Sequence, residues 1–245
     1  MAVKQINYFD KEFQINYDIV NNDKEKIIVF LHGWGSNKEI MKQAFADKLL
    51  GFKHIYIDMP GFGKSDNNYV LTTIDYANIV KIFLNKLNIN PNSVTIAGHS
   101  FGGKVGTCLM PKLLVLLSSA GILETKSTKT LLTIRMAKIF NKFGLSKVNK
   151  LLRSKDVDNM DSNMYETFKN VVDEDFREYF KGFYNNALIF WGETDTATTL
   201  SSGQIIHQLI KNSQFKSYDG DHYFFLKYSD DICDIINKNI LEEAQ

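Results

Sequence analysis

Apolar residues fall along this chain in two rhythms. From about Gln5 to Val20 they alternate with polar ones, which predicts a hairpin with its turn near Asp10 and Lys11. After that they come in short unbroken runs, at 27–31, 55–57, 94–97, 113–117 and 187–191. Strands buried on both faces need no polar alternation, so these runs predict a parallel sheet covered by helices. One more short strand is expected from Phe215 to Tyr218, with a final apolar segment beginning at Phe224. Between the runs, Tyr76, Ile79, Val80, Phe83, Leu84 and Leu87 recur at helical spacing, and Thr72 with Asp75 reads as a capping box ahead of them. Tyr228, Ile232, Ile235 and Ile236 form a similar stripe near the C-terminus.

Between Gly121 and about Phe183 the strand rhythm stops. Leu132, Met136, Ile139, Phe140 and Phe143 fall on one helical face, and Gly144 is a natural stop. The pattern therefore divides the chain into an α/β core, 1–120 and 184–245, and a helical insertion, 121–183, whose apolar stripe packs on the core.

Composition narrows the function classes. A chain of 245 residues with 44% hydrophobic content supports one large core with an insertion, not two full domains. A net charge of +1 supplies no general field for nucleic acid or a membrane, so neither is expected as a partner. Cys108 and Cys233 have neither ligand-like nor disulfide-framework spacing and read as small buried hydrophobes, with no metal or cofactor implied. The first residues lack the apolar core of a secretory signal and no run reaches the length of a membrane span, so a cytoplasmic location is expected.

The chemistry concentrates after the strands. Gly98-His99-Ser100-Phe101-Gly102 follows the 94–97 run and leads into a small-residue segment. A serine at the apex of a strand-to-helix reversal strains the backbone, and only tiny neighbours let the two elements approach. Such a serine is inert without a base and a group to orient that base. Asp195 follows the 187–191 run, where side chains of parallel sheets converge on ligands, and is the candidate acid; His222 follows the Phe215–Tyr218 strand and is the candidate base. Glu193 is a weaker substitute for the acid, and Asp219 and Asp221 stand too near His222 in sequence to reach its ring well. Upstream, the 27–31 run enters His32-Gly33-Trp34-Gly35, a glycine-rich loop whose backbone N–H groups suit an oxyanion; Trp34 and Phe101 are the two expected donors.

Taken in order, His32 to Gly35, Asp58 to Ser65, Gly98 to Gly103, Trp191 to Asp195 and Gly220 to His222 resemble the successive motifs of the alpha/beta hydrolase superfamily, over nearly the whole chain. The resemblance implies a mostly parallel central sheet flanked by helices, a helical cap at 121–183 that roofs the site, and a serine hydrolase acting on an ester or thioester of a small-molecule acyl substrate through Ser100, His222 and Asp195, without metal or cofactor. It leaves open a carbon–carbon bond hydrolase, a lyase, an aminopeptidase and a non-catalytic ligand-binding module. It makes His32 a brace for its own loop, and Gly61 to Ser65 a loop near the site; as a phosphate-binding loop the latter lacks the glycine required at Asp58. His99 is expected to point away from the catalytic side and serve structure. One departure is the absence of a proline in Ala197-Thr198-Thr199-Leu200, which leaves the turn after Asp195 open to question. Finally, nine basic residues and no acidic one lie between Lys126 and Lys155 in the insertion. This run reads either as a solvated face balanced by the acidic stretch 156–178 or as a docking face for an anionic carrier or coenzyme thioester.

Overall fold

The computed structural model describes residues 2–123 and 161–242. The N-terminal alternation forms an antiparallel hairpin, β1 (Ala2–Tyr8) with β2 (Lys11–Val20), and Ile6, Phe13 and Ile15 are its inward, buried positions. There follow β3 (Lys26–Leu31), α1 (Lys38–Phe45), β4 (Phe52–Ile57), α2 (Thr73–Lys86), β5 (Thr95–His99), α3 (Phe101–Cys108) and β6 (Leu113–Leu117). From Ser162 onward the described elements are α4 (Ser162–Val172), α5 (Arg177–Lys181), β7 (Asn186–Gly192), α6 (Leu200–Leu209), β8 (Ser213–Tyr218) and α7 (Ser229–Glu242).

The eight strands form one sheet in the order β1-β2-β4-β3-β5-β6-β7-β8. The β1–β2 and β2–β4 pairs are antiparallel and the rest parallel. Its central strands bury both faces. Val29, Leu31 and Ile96 pack with Tyr76, Ile79 and Phe83 of α2 and Val105 of α3, whereas Ile28, Phe30 and Ala97 pack with Met41 and Phe45 of α1 and Ile232 and Ile236 of α7. This two-sided burial is why the central strands read as mostly apolar runs without polar alternation.

Differences from the sequence reading have local causes. β4 begins at Phe52, three residues earlier than its apolar run, because His54 is buried and satisfied by Tyr56 Oη and the Leu49 carbonyl at 2.9 and 3.0 Å. The capping box on α2 forms as expected, with Thr72 and Asp75 exchanging side-chain and backbone bonds. Helices α1 and α6 gave no clear sequence pattern: α1 buries a lysine, and in α6 the opening Leu200 is followed by Ser-Ser-Gly, three weaker helix formers.

Within the expected insertion α4 and α5 are helical, while the Leu132–Phe143 stripe, Gly144 and the basic run 126–155 lie outside the described residues. The segment joining α4 to α5 is tied to α3 by Lys104. Its buried ammonium donates to the Val171 carbonyl at 2.6 Å and to Glu174 at 2.9 Å, and Thr73 donates to the same Glu174 oxygen at 2.5 Å. Burial pushes the Lys104 pKa down, and Glu174 works against that push.

Candidate active site

The loops after β3, β5, β7 and β8 share the sheet edge formed by the strands' carboxyl ends, and every candidate residue stands on one of them. Ser100 joins β5 to α3 with φ 52° and ψ −114°, a left-handed conformation costly for a residue with a Cβ. The surroundings hold it there. Its N–H donates to Leu117 O at 3.1 Å, and its carbonyl accepts from Gly103 N and Ala120 N, each at 3.0 Å. Gly98 and Gly102 make the reversal possible: a Cβ on Gly98 would overlap the Gly102 carbonyl, and one on Gly102 would overlap the carbonyls of Leu31 and His32. Close approach at Gly102 also brings the end of β3 against the start of α3, so the Trp34 loop lies beside the serine.

His222 Nδ1 lies 2.7 Å from Asp195 Oδ2. The Asp195 carboxylate is a dense acceptor: Oδ1 takes the N–H groups of Ala197 and Thr198 at 2.8 and 3.0 Å, and Oδ2 also takes the Thr198 hydroxyl at 2.9 Å. Burial disfavours its charge, but the His222 bond, the Thr198 N–H, the His222 charge and the Ser118 hydroxyl outweigh this and hold its pKa at about 2. It is therefore ionised throughout any ordinary working range. The turn closes without a proline, since two successive N–H groups fold back onto the carboxylate. The other acids stand elsewhere: Glu193 is exposed and accepts from Ser217, and Asp221 accepts from the Tyr223 N–H.

Among the described residues neither Trp34 nor Phe101 donates its backbone N–H to a protein acceptor, and Phe101 opens α3, where the first N–H groups have no intrahelical partner. The Trp34 ring packs against Phe62, Phe101 and Phe168 of α4, with centroids 4.8, 5.5 and 5.4 Å apart. Its loop is braced by His32, whose Nδ1–H donates to Gly33 O at 2.8 Å while Nε2 accepts from Met59 N at 3.1 Å. Asp58, missed by sequence reasoning, anchors the neighbouring loop: it accepts from Lys38 N, from the buried Lys38 ammonium and from Lys64 N at 2.8, 2.7 and 3.1 Å.

His99 does not simply point away. Its Nε2 donates to the His222 carbonyl at 3.0 Å and its ring centroid lies 4.5 Å from that of His222, so it supports the loop that carries the candidate base. Burial depresses the pKa of His99 to about 3, with the nearby His222 adding to the effect, and burial depresses that of His32 to about 4. Both values lie below that of a free histidine, near 6.5, so over the interval between, the unfolded chain binds protons that the folded one excludes. Stability should be full above about pH 6.5 and fall as pH drops toward 4, by up to about 1.4 kcal/mol per histidine and pH unit. Asp195 acts in the same direction only below about pH 4, as the pH approaches its folded value. Thermal unfolding at pH 7, 5.5 and 4.5 measures this; a melting temperature that stays level across the series contradicts neutral burial of the two rings.

No helix among the described residues is long and apolar enough to cross a membrane, and no cluster of three metal-ligating side chains is found among them.

Residues 26–113 match the family model described as the alpha/beta hydrolase fold, a stretch that includes Trp34, Ser100 and Phe101 but not Asp195 or His222. The chain is 35% identical over 88 residues to a biotin biosynthesis bifunctional protein of Teredinibacter turnerae, covering 34% of this chain and 14% of that one. It is 32% identical over 80 residues to a pimeloyl-[acyl-carrier protein] methyl ester esterase of Pectobacterium carotovorum, covering 33% and 29%. The aligned stretches thus span less than a third of either curated relative. An esterase of Exiguobacterium antarcticum superposes over 98% of this chain and 99% of its own with a TM-score of 0.75 at 18% identity, which shows the fold alone. The fold expected from the sequence motifs is borne out.

Proposed function

We propose that this chain, which has the alpha/beta hydrolase fold, is a serine esterase: it cleaves a carboxylic ester of a small-molecule acyl substrate through an acyl-enzyme on Ser100. The observation that carries the reading is the 2.7 Å contact between His222 Nδ1 and the ionised Asp195, on the same strand-end edge as the strained Ser100 elbow. Because Asp195 fixes the proton on Nδ1, Nε2 is free to accept. In the reaction Nε2 takes the Ser100 hydroxyl proton as Oγ bonds to the ester carbonyl carbon. The N–H groups of Trp34 and Phe101 hold the resulting oxyanion. The imidazolium then gives its proton to the departing alcohol; water repeats the sequence, releasing the acid and restoring the serine.

Esterase and hydrolase relatives support hydrolysis, and the name of the Pectobacterium relative favours an oxygen ester of an acyl chain over a carbon–carbon bond. That name also supports an anionic acyl carrier as partner, which would meet the basic run 126–155 of the insertion. Segment 121–183 serves in this reading as the cap, supported by Phe168 and Met164 of α4, which lie over Trp34 and Gly61. Two free cysteines suit a reducing, cytoplasmic compartment.

A panel of p-nitrophenyl esters of rising chain length, with methyl esters, thioesters and amides, tests the reading. Turnover of esters with a clear chain-length optimum is expected. Turnover of none of them, or preference for amides, contradicts it.

A further inference from the structure

The geometry points to Thr198 as a positioning residue of the acid–base pair, whose hydroxyl sets how tightly His222 holds its proton by sharing the oxygen of Asp195 that His222 uses. This rests on the serine esterase reading and deepens it.

Asp195 Oδ2 lies 2.7 Å from His222 Nδ1 and 2.9 Å from Thr198 Oγ1. Thr198 Oγ1 stands 3.2 Å from the Ser118 carbonyl and 3.5 Å from His222 Nδ1. A hydroxyl carries one proton, and both the carboxylate and the carbonyl only accept. The proton therefore goes to the nearer, charged oxygen or is shared between the two. Through its own N–H on Oδ1, Thr198 supplies a donor to each oxygen of the acid.

Donation from Thr198 draws negative charge from Oδ2. Less of that charge then faces the imidazole, and the imidazolium is held less firmly. Deleting the hydroxyl should concentrate charge on Oδ2, favour protonated His222, and move the onset of nucleophile activation to higher pH. A role confined to packing predicts otherwise: a loosened acid–base pair holds the imidazolium less well, so the onset stays in place or falls. The sign separates the two. Among the described residues the other titratable groups around the pair are few. His99 lies against the His222 ring from β5 and is kept neutral by burial; Tyr223 makes a ring contact at 5.5 Å; Asp221 is turned to the Tyr223 N–H and Glu193 to Ser217. Asp219 lies on the same loop, its carbonyl accepting from Tyr228 Oη at 3.0 Å.

Thr198→Val keeps the branched shape and the backbone N–H but deletes the hydroxyl. The readout is the rate of Ser100 labelling by a fluorophosphonate across pH, which needs no knowledge of the natural substrate. Relative to wild type, the midpoint for Thr198→Val should rise by roughly 0.5 to 1 pH unit. Thr198→Ser should retain the wild-type midpoint, and Thr198→Ala, a second deletion of the hydroxyl, should move in the same direction as the valine variant. A midpoint unchanged or lowered in both deletion variants, with wild-type protein labelling normally, overturns the role of Thr198 alone. Wild-type protein that never labels at Ser100 overturns the esterase reading and this inference with it.

Discussion

Ser100→Ala should lose ester turnover by about five to six powers of ten in kcat, down to what oxyanion binding alone retains, and stay folded. The chemistry in the proposed mechanism passes through the hydroxyl oxygen, and no other nucleophile stands at the elbow. The fold does not depend on that oxygen: the backbone bonds that hold the turn, Ser100 N to Leu117 O and the Ser100 carbonyl to Gly103 N and Ala120 N, survive the substitution. Alanine has the same Cβ as serine, so the strain at φ 52° is unchanged, and stability should move by no more than about 1 kcal/mol. Initial rates on the best ester, paired with thermal unfolding, check both halves. Turnover within tenfold of wild type contradicts the mechanism.

Asp195→Asn should cost about 10³ to 10⁴ in kcat with little loss of structure. The hydrogen-bond pattern explains the size. An asparagine would keep its carbonyl on the Ala197 and Thr198 N–H groups, which demand an acceptor, and so turn its amide toward His222. The amide donates where the carboxylate accepted. His222 would then present a bare Nδ1 to it and carry its proton on Nε2, the position that must be free to take the proton from Ser100. Glu193→Gln should leave the rate near wild type, because Glu193 is exposed and bonded to Ser217. Steady-state rates decide it: activity surviving Asp195→Asn and lost in Glu193→Gln would reassign the acid.

Where the chain's chemistry was legible, position carried it. Ser100 and Asp195 come after unbroken apolar runs, which identify strands because both faces of the central sheet are covered, whereas His222 comes after the mixed edge strand β8. The capping box before α2 was readable for a similar reason, since its partners are three residues apart. What stayed hidden depends on contacts between distant segments. Lys38 with Asp58 and Lys104 with Glu174 join charges 20 and 70 residues apart, and nothing local marks them. A lysine among the small residues after the elbow was the available sign that Lys104 needs a buried partner. The contact of His99 with His222 spans 123 residues. Thr198 was visible only as a missing proline, and its hydroxyl gains meaning once β7 and β8 bring Asp195 and His222 together.

The central claim is that Ser100 is an activated nucleophile, and the most direct measurement is to react the protein with a fluorophosphonate and locate the adduct by peptide mass spectrometry. A single adduct on the peptide containing Ser100, formed in the native protein and lost on denaturation before reaction, is the predicted result. No adduct, or one on another residue while Ser100 stays unmodified, would contradict it.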